Sequence, residues 1–441
     1  MVAVYRRAAR HASTWAALGI VDDLCRALAR VGYKAPTESQ EAIVPALLAS
    51  HRTTVVSART GTGKTLAVGI PLMQRILDGP TRLPPSTLVL APNLLLCEQT
   101  AAALNKVYAG VAQVKADSRR PSSLARPFSA HIQVTMPSIA MASMLESGAT
   151  TFDTVVVDEA DFMIANGGGQ GDCLDKVLTG CKYDRLVFLS ATMPDTPGKS
   201  PGQVIRQRYA KQAHWVTMPD VDLVMTHVIK GFLETNPITT LSLVSAMQAC
   251  LLPEDKTLVF CSSSTMAKSI VTELARYNIT GHLFTADVDV DERRALLAKF
   301  NNGDIFMLVC TDIASRGIDF VDVDHVIQAP LANDILTFVH RLGRAGRLGR
   351  SARCTSIYSN KEGQSPAHLV EVLTNGGPIS SAFSRNRSLR KKLRATRLER
   401  EKAKLKMMGT WTTAHNSIAS LEAMETVPWE PEPEYGSQSD K

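Results

Sequence analysis

The run ARTGTGKT at 58–65 constrains this chain more than any other stretch. It follows the apolar segment Thr53 to Ser57 and leads into Leu66 to Ile76, whose spacing is helical. A strand therefore meets a helix through a glycine-rich loop. Gly61 and Gly63 permit the tight turn that points successive amides inward, and the helix N-terminus adds its positive dipole end to that nest. Phosphate is the natural guest. Arg59, Thr60, Gly61, Thr62 and Gly63 would line it, Lys64 can reach the β and γ phosphates, and Thr65 can place its hydroxyl on a magnesium ion. The first position holds Ala58, where the general pattern has glycine.

VVVDEAD at 155–161 is an apolar strand that ends in carboxylates. Acids at a strand end are usually a solvated turn. Placed about a hundred residues after a phosphate loop, at the carboxyl end of a parallel strand, they take on a different meaning. Asp158 can hold the magnesium ion and Glu159 can orient and deprotonate an attacking water.

A length of 441 residues is long for one core and suits two domains with extensions. No uncharged apolar run reaches the length of a bilayer span, so a soluble chain without membrane association is expected. The eight cysteines are scattered, with no CxxC pair and no histidine at ligand spacing, and read as buried thiols. The net charge is +7, yet residues 385–406 hold eleven Lys or Arg against two Glu, so the remainder carries about −2.

Residues 1–14 contain Arg6, Arg7 and Arg10, and no acid precedes Asp22, a composition that suits either a mitochondrial transit peptide or a frayed basic end. Helical periodicity runs from Trp15 to Val31. Strand candidates at Ser86 to Pro92, Ile132 to Met136, Thr154 to Val157, Arg185 to Ser190 and Trp215 to Met218 alternate with helical stretches, which predicts a parallel sheet covered on both faces. A second series follows: His227 to Phe232, Thr257 to Cys261, Gly281 to Phe284, Phe306 to Cys310, His325 to Gln328 and Cys354 to Tyr358. The expected domains are thus 15–220 and 221–378. Residues 379–441 then read as a basic helix followed by an acidic, proline-containing disordered tail.

With these segments in place, the chain resembles the DEAD-box RNA helicases from about Trp15 to about Ser359. GYKAPTESQ at 32–40 is similar to that family's Q motif, SAT at 190–192 to its coupling motif, and TDIASRGID at 311–319 and HRLGRAGR at 340–347 to its second-domain motifs. The resemblance implies two tandem RecA-like domains, an α/β fold, with ATP and magnesium as cofactors and RNA as partner. It implies that Gln40 reads the adenine edge, that Trp15 and Tyr33 flank the base, and that Asp319 contacts the ribose. Arg344 and Arg347 would be arginine fingers beside the catalytic Lys64, Asp158 and Glu159. Ser190, Ala191, Thr192, Asp161 and His340 would couple ATP state to closure. Thr311, Arg316 and Gly317 would touch nucleic acid, as would Arg390, Lys391, Lys392 and Arg394 of the basic segment.

Several motifs depart from the family. PTRELAxQ becomes PNLLLCEQ at 92–99, with Leu94 and Leu95 at the Arg and Glu positions; TPGR becomes Met136, Pro137, Ser138 and Ile139. The double glycine is absent from VAQVKADSRR at 111–120, HGxxxQ becomes Thr285, Ala286 and Val290, and QAPLA replaces the usual Tyr-Asp-x-Pro at 328–332. Since guanidinium and amide contacts to phosphate supply most sequence-independent affinity, the core's grip on RNA should be poor. Two readings follow: an ATP-dependent helicase that remodels or locally unwinds RNA or ribonucleoprotein, or an ATP-gated RNA clamp or assembly factor with little unwinding. A P-loop kinase or unrelated ATPase is a third, disfavoured by HRLGRAGR. Ribonucleoprotein or ribosome-assembly proteins are expected partners of a monomeric core, in mitochondria or alternatively in the cytoplasm or nucleus and nucleolus.

Overall fold

The computed structural model describes residues 2–4, 14–49, 51–59, 61–78, 87–108, 113–116, 130–147, 151–165, 170–193, 200–218, 228–333, 335–347 and 350–359. Every described residue falls within the compact unit Met1–Phe383. The basic helix and acidic tail expected over 379–441 lie outside the described residues.

Two parallel sheets form, as the alternation of apolar runs and helical stretches predicts. The first comprises β1 (Val2–Val4), β2 (Thr53–Ser57), β3 (Thr87–Leu90), β4 (Val114–Ala116), β5 (Ile132–Thr135), β6 (Thr151–Val157), β7 (Lys182–Ser190) and β8 (His214–Thr217), in the order β1-β8-β2-β7-β6-β3-β5-β4. The second comprises β9 (Val228–Glu234), β10 (Thr257–Phe260), β11 (His282–Phe284), β12 (Met307–Cys310), β13 (His325–Gln328) and β14 (Ala352–Tyr358), in the order β11-β12-β10-β13-β14-β9. Central strands such as β2, β3 and β10 are buried along their whole length, as strands covered on both faces must be.

Strand order places the chemistry. β2, β7 and β6 are neighbours, with Ser57 opposite Ser190 and Val157 opposite Phe188. The glycine loop, SAT and DEAD segments therefore leave the sheet side by side at its carboxyl edge, where α/β sheets bind ligands. In the second sheet, β12 leads directly into the 311–319 segment, and the helix Ile335–Leu342 carries the start of HRLGRAGR.

Three local expectations are corrected. The periodicity from Trp15 to Val31 is not one helix: a 3-10 turn at Ala16–Leu18 closes at Gly19, with φ 84°, before the helix Asp22–Arg30 begins. Gln74, on the helix Lys64–Asp78, stabilises that break, accepting from Val21 N at 3.1 Å and donating to Gly19 O at 2.9 Å. Two short edge strands, β1 and β4, have too few residues to show a period. The eight cysteines are free thiols, but Cys25, Cys173 and Cys250 are only half-buried. Among the described residues no helix is long and apolar enough to cross a membrane.

One buried group makes the second lobe sensitive to acid. His325 on β13 lies wholly inside, shares a 2.8 Å hydrogen bond with Thr355 Oγ1, and has its pKa lowered to about 4 by burial and by Arg353. The neutral ring is the folded form, so the unfolded chain binds the extra proton between pH 6.5 and 4. Stability contributed by this site is complete above pH 6.5 and falls by up to about 3 kcal/mol as pH drops through that window. Thermal unfolding of the second lobe across this range should show the loss, and His325→Asn should flatten it; an identical pH profile in the variant would exclude His325 as its source.

Candidate functional site

The glycine loop has the conformation its sequence requires. Gly61 and Gly63 adopt φ of 77° and 85°, the left-handed region where a side chain is strained. A Cβ on Gly63 would also meet Gln40 Nε2 at 2.6 Å. Lys64, half-buried at the start of its helix, donates to the carbonyls of Ala58 at 2.5 Å and Arg59 at 2.8 Å, so the loop is held from inside by its own ammonium. Burial lowers the pKa of Lys64, and Arg344 adds to that; Glu159 and Asp158 oppose it. Ala58 N donates to Ser190 O at 3.1 Å, binding the loop to the SAT segment.

Thr37 and Gln40 form a capping box at the start of the helix Glu38–Leu48. The Gln40 carboxamide accepts from Thr37 N at 2.8 Å and lies 3.4 Å from Gly63 O, while Thr37 Oγ1 donates to Thr62 O at 3.0 Å. Gln40 thus braces the phosphate loop, with its acceptor oxygen already engaged. Trp15, expected against a base, is only 4% exposed, packs in the first lobe's core and donates from Nε1 to Tyr33 O at 2.8 Å. Tyr33 is the exposed ring of the pair.

At the end of β6, Glu159 takes a φ of 49°, unusual for a long side chain and costing on the order of 1 kcal/mol or more. Asp158 Oδ1 accepts from Glu159 N at 2.9 Å, which fixes the turn. Burial, then the neighbouring Glu159 carboxylate, pushes the Asp158 pKa up to about 7, with Lys64 opposing. Asp161 behaves differently. Burial alone would raise its pKa, but His340, Arg316 and the hydroxyl of Thr192 hold it well below the usual carboxylate range. Its Oδ2 accepts from Thr192 Oγ1 at 2.6 Å and lies 2.8 Å from His340 Nε2, a contact that joins the two lobes. Ser190 serves the motif internally: its Oγ donates to Thr192 O at 2.7 Å and accepts from Thr192 N at 3.1 Å, with the buried Ala191 between them.

Arg344 and Arg347 reach the same seam from the second lobe. Both donate to Ile318 O, at 2.8 Å from Arg344 Nη1 and 3.2 Å from Arg347 Nη2, and Arg347 also pairs with Asp319. Burial and the adjacent Arg347 lower the Arg344 pKa to about 9. Buried polar atoms without a hydrogen-bond partner gather here: Glu159 Oε2, His340 Nδ1, Arg344 Nη2 and Arg347 Nε. Atoms of this kind, clustered between two lobes, are ones that a water, an ion or a ligand can complete.

Two expected nucleic-acid contacts sit elsewhere. Arg316 is buried, stacks over Phe162 at 4.4 Å and lies 3.7 Å from Asp161, so it belongs to the lobe seam. Gly317 faces Leu96 so closely that a Cβ would meet it at 2.3 Å. Thr311 is half-buried at the end of β12, Thr65 is half-buried beside Lys64, and Asp319 is exposed but paired with Arg347. Thr60, Arg390, Lys391, Lys392 and Arg394 lie outside the described residues. Sequence reasoning passed over Arg341, which is inside HRLGRAGR and holds Asp312 at 2.7 Å. It also passed over Gln74, for which a single sequence carries no signal.

Fold and site together define a two-lobed protein with a phosphate loop on one RecA-like lobe and paired arginines on the other. Residues 37–199 match the family model for the DEAD/DEAH box helicase and residues 242–349 that for the helicase conserved C-terminal domain, together more than half of the chain. The chain belongs to the DEAD-box helicases of superfamily 2. It is 29% identical over 376 residues to the ATP-dependent RNA helicase DeaD of Mycobacterium tuberculosis, an alignment covering 83% of this chain and 63% of that protein. It is 27% identical over 381 residues to the DEAD-box ATP-dependent RNA helicase CshA of Geobacillus kaustophilus, covering 82% and 77%. Its fold matches that of S. cerevisiae Dbp5 bound to RNA and ADP BeF3, with a TM-score of 0.71 at 22% identity, over 84% of this chain and 93% of that one.

Proposed function

We propose that this chain is an ATP-dependent RNA helicase that uses ATP hydrolysis to remodel or locally unwind RNA. The observation that carries this reading is the seam: Lys64, Asp158 and Glu159 of one lobe meet His340, Arg344 and Arg347 of the other, with the Asp161–His340 contact at 2.8 Å as the join. The activities named for the relatives, and the RNA bound to Dbp5, support the substrate class.

Asp158, a buried carboxylate at the end of β6 whose pKa is pushed up first by burial and then by Glu159, would hold a magnesium ion, with the Thr65 hydroxyl beside Lys64 as the second ligand. When bound, that ion would neutralise charge on the β and γ phosphates. Lys64 and the loop amides hold the triphosphate, and Glu159, whose Oε2 makes no hydrogen bond and lies 3.9 Å from His340 Nδ1, orients the attacking water and takes its proton. Arg344 and Arg347 stabilise the charge that spreads over the transferring phosphoryl group. Because these groups come from two lobes, hydrolysis depends on closure. RNA bound across both lobes is then coupled to hydrolysis, and a closed form that accepts only a bent strand would open a duplex locally.

A second reading, an ATP-gated RNA clamp, is favoured by one specific observation. Positions that would supply RNA contacts are apolar or buried: Leu94 and Leu95 replace Arg and Glu, and Arg316 faces Asp161. Displacement of a short labelled RNA strand, with and without ATP, separates the two. ATP-dependent displacement supports the helicase; ATP-dependent RNA retention without displacement supports the clamp and overturns unwinding.

The basic segment 385–406 is proposed to supply RNA affinity that the altered core motifs forfeit. Single-stranded RNA held by about five of its cations would give a log–log salt slope near −3.5, at ~0.7 per phosphate. A chain ending at Gly377 should bind more weakly, with a flatter slope and unchanged RNA-free ATP turnover. An unaltered slope would put the RNA grip in the core. A mitochondrial address is likewise proposed from the acid-free, Arg-bearing start. Residues 1–20 fused to a fluorescent reporter should carry it to mitochondria, and a diffuse reporter would contradict that address.

A further inference from the structure

The helix Leu94–Tyr108 is part of the first lobe, whose core takes in Leu96, Cys97, Ala101 and Leu104. Its first turns also face the other way. Leu95 is only 3% exposed and falls in the second lobe's apolar cluster, together with Ala314 and Ile318. Glu98 accepts from Arg294 Nε at 2.8 Å, and its other oxygen pairs with the same guanidinium. Gln99 Oε1 accepts from Asp319 N at 3.0 Å. Positions 95, 98 and 99 are related by three and four residues, so they share one helix face. That face meets the second lobe at the helix beginning at Val290, which carries Arg294, and at the 317–319 loop.

The loop it holds is the one that orients the two arginines. Ile318 O accepts from both Arg344 and Arg347, and the Asp319 carboxylate pairs with Arg347. Gly317, with φ 67°, lies flat enough against Leu96 that no side chain would fit between them. An unbroken set of contacts thus runs from the helix face, through residues 317–319, to the guanidinium groups at the phosphate site. Leu95 also explains a departure in the sequence. A glutamate buried at this place would lose hydration without a partner, whereas leucine gains by leaving water.

We propose that Leu95, Glu98 and Gln99 are positioning residues that dock the second lobe on the first and thereby set Arg344 and Arg347 at the phosphate site. This inference rests on the ATP-hydrolysis reading for its catalytic consequence, but the docking itself can be read independently. The test is a charge exchange in the full chain: Glu98→Arg, Arg294→Glu, and the two combined, with Leu95→Glu alongside. Two readouts are taken, steady-state ATP turnover and the radius of gyration by small-angle X-ray scattering with RNA and a non-hydrolysable ATP analogue.

The Glu98–Arg294 pair is partly exposed, so each single exchange should lower kcat by about threefold. Leu95→Glu, which buries a charge, should lower it by about tenfold or more. KM for ATP should stay within about twofold, because the phosphate loop and Gln40 lie wholly on the first lobe. All three single variants should expand the particle, and the combined exchange should recover part of the lost kcat and compactness, the rest being withheld because Arg294 also pairs with Asp291. A role of either residue within its own lobe would not be rescued by a reversal in the other lobe. Unchanged kcat and scattering in the single variants, or a combined exchange no better than either, would overturn the inference. A chain that hydrolyses no ATP yet regains compactness on charge exchange would overturn the proposed activity and uphold the docking.

Discussion

Arg347→Ala should slow ATP turnover by about 10³-fold or more, the scale on which cations at a transferring phosphoryl group act, while changing ATP affinity far less. The asymmetry follows from where the side chain is held. Arg347 is on the second lobe, fixed by Asp319 and Ile318 O, and the loop proposed to grip the triphosphate is on the first. On the proposed mechanism its charge therefore serves only the closed state. Arg344→Ala should be at least as severe, because Arg344 is also one of the largest fully buried side chains and its removal leaves a cavity beside Ile318. Arg344→Lys separates the two effects: it keeps charge and most of the volume but loses the forked geometry, so turnover should stay low while the fold recovers. Normal turnover in Arg347→Ala would mean that this site closes by another route.

Lys64→Ala and Glu159→Gln should both abolish turnover, by opposite routes. Lys64 donates to the loop carbonyls of Ala58 and Arg59 and faces Glu159 and Asp158. Its loss removes phosphate charge compensation and loosens the loop, so ATP binding fails. Glu159→Gln preserves shape and the strained turn but removes the base. ATP then stays bound, the lobes stay together, and RNA should be retained for longer than in the unaltered chain. Nucleotide binding and RNA dissociation rates measured for both variants decide the matter, since equal loss of ATP binding in the two would remove the role given to Glu159.

The proposed nucleotide site was legible in the sequence because its parts are contiguous. ARTGTGKT and VVVDEAD each place several functional groups within one loop, and periodicity alone says that a strand precedes each. β2, β7 and β6 then bring those loops together by strand order, which no single segment reveals. Residues that act across the seam were harder to place. Arg316 in TDIASRGID is expected by resemblance to touch nucleic acid, yet burial against Phe162 and Asp161 gives it a partner from the other lobe. Glu98 and Arg294 lie 196 residues apart, and nothing local distinguishes them from solvated charges. Trp15 was assigned to a base by resemblance, whereas its indole is consumed by the core and by Tyr33 O. Short edge strands such as β4 escaped because three residues cannot display alternation.

RNA affinity compared between two nucleotide states tests the coupling of ATP to RNA most directly. If the seam of Asp161, Thr192 and His340 forms only when the lobes close on ATP, a non-hydrolysable ATP analogue should tighten single-stranded RNA binding relative to ADP. RNA should tighten binding of the analogue by the same factor, about 5- to 150-fold for couplings of ordinary size. His340→Ala should collapse that factor toward one while leaving affinity for the analogue alone nearly unchanged. Equal RNA affinity with the analogue and with ADP in the unaltered chain would contradict an ATP-driven closure on RNA.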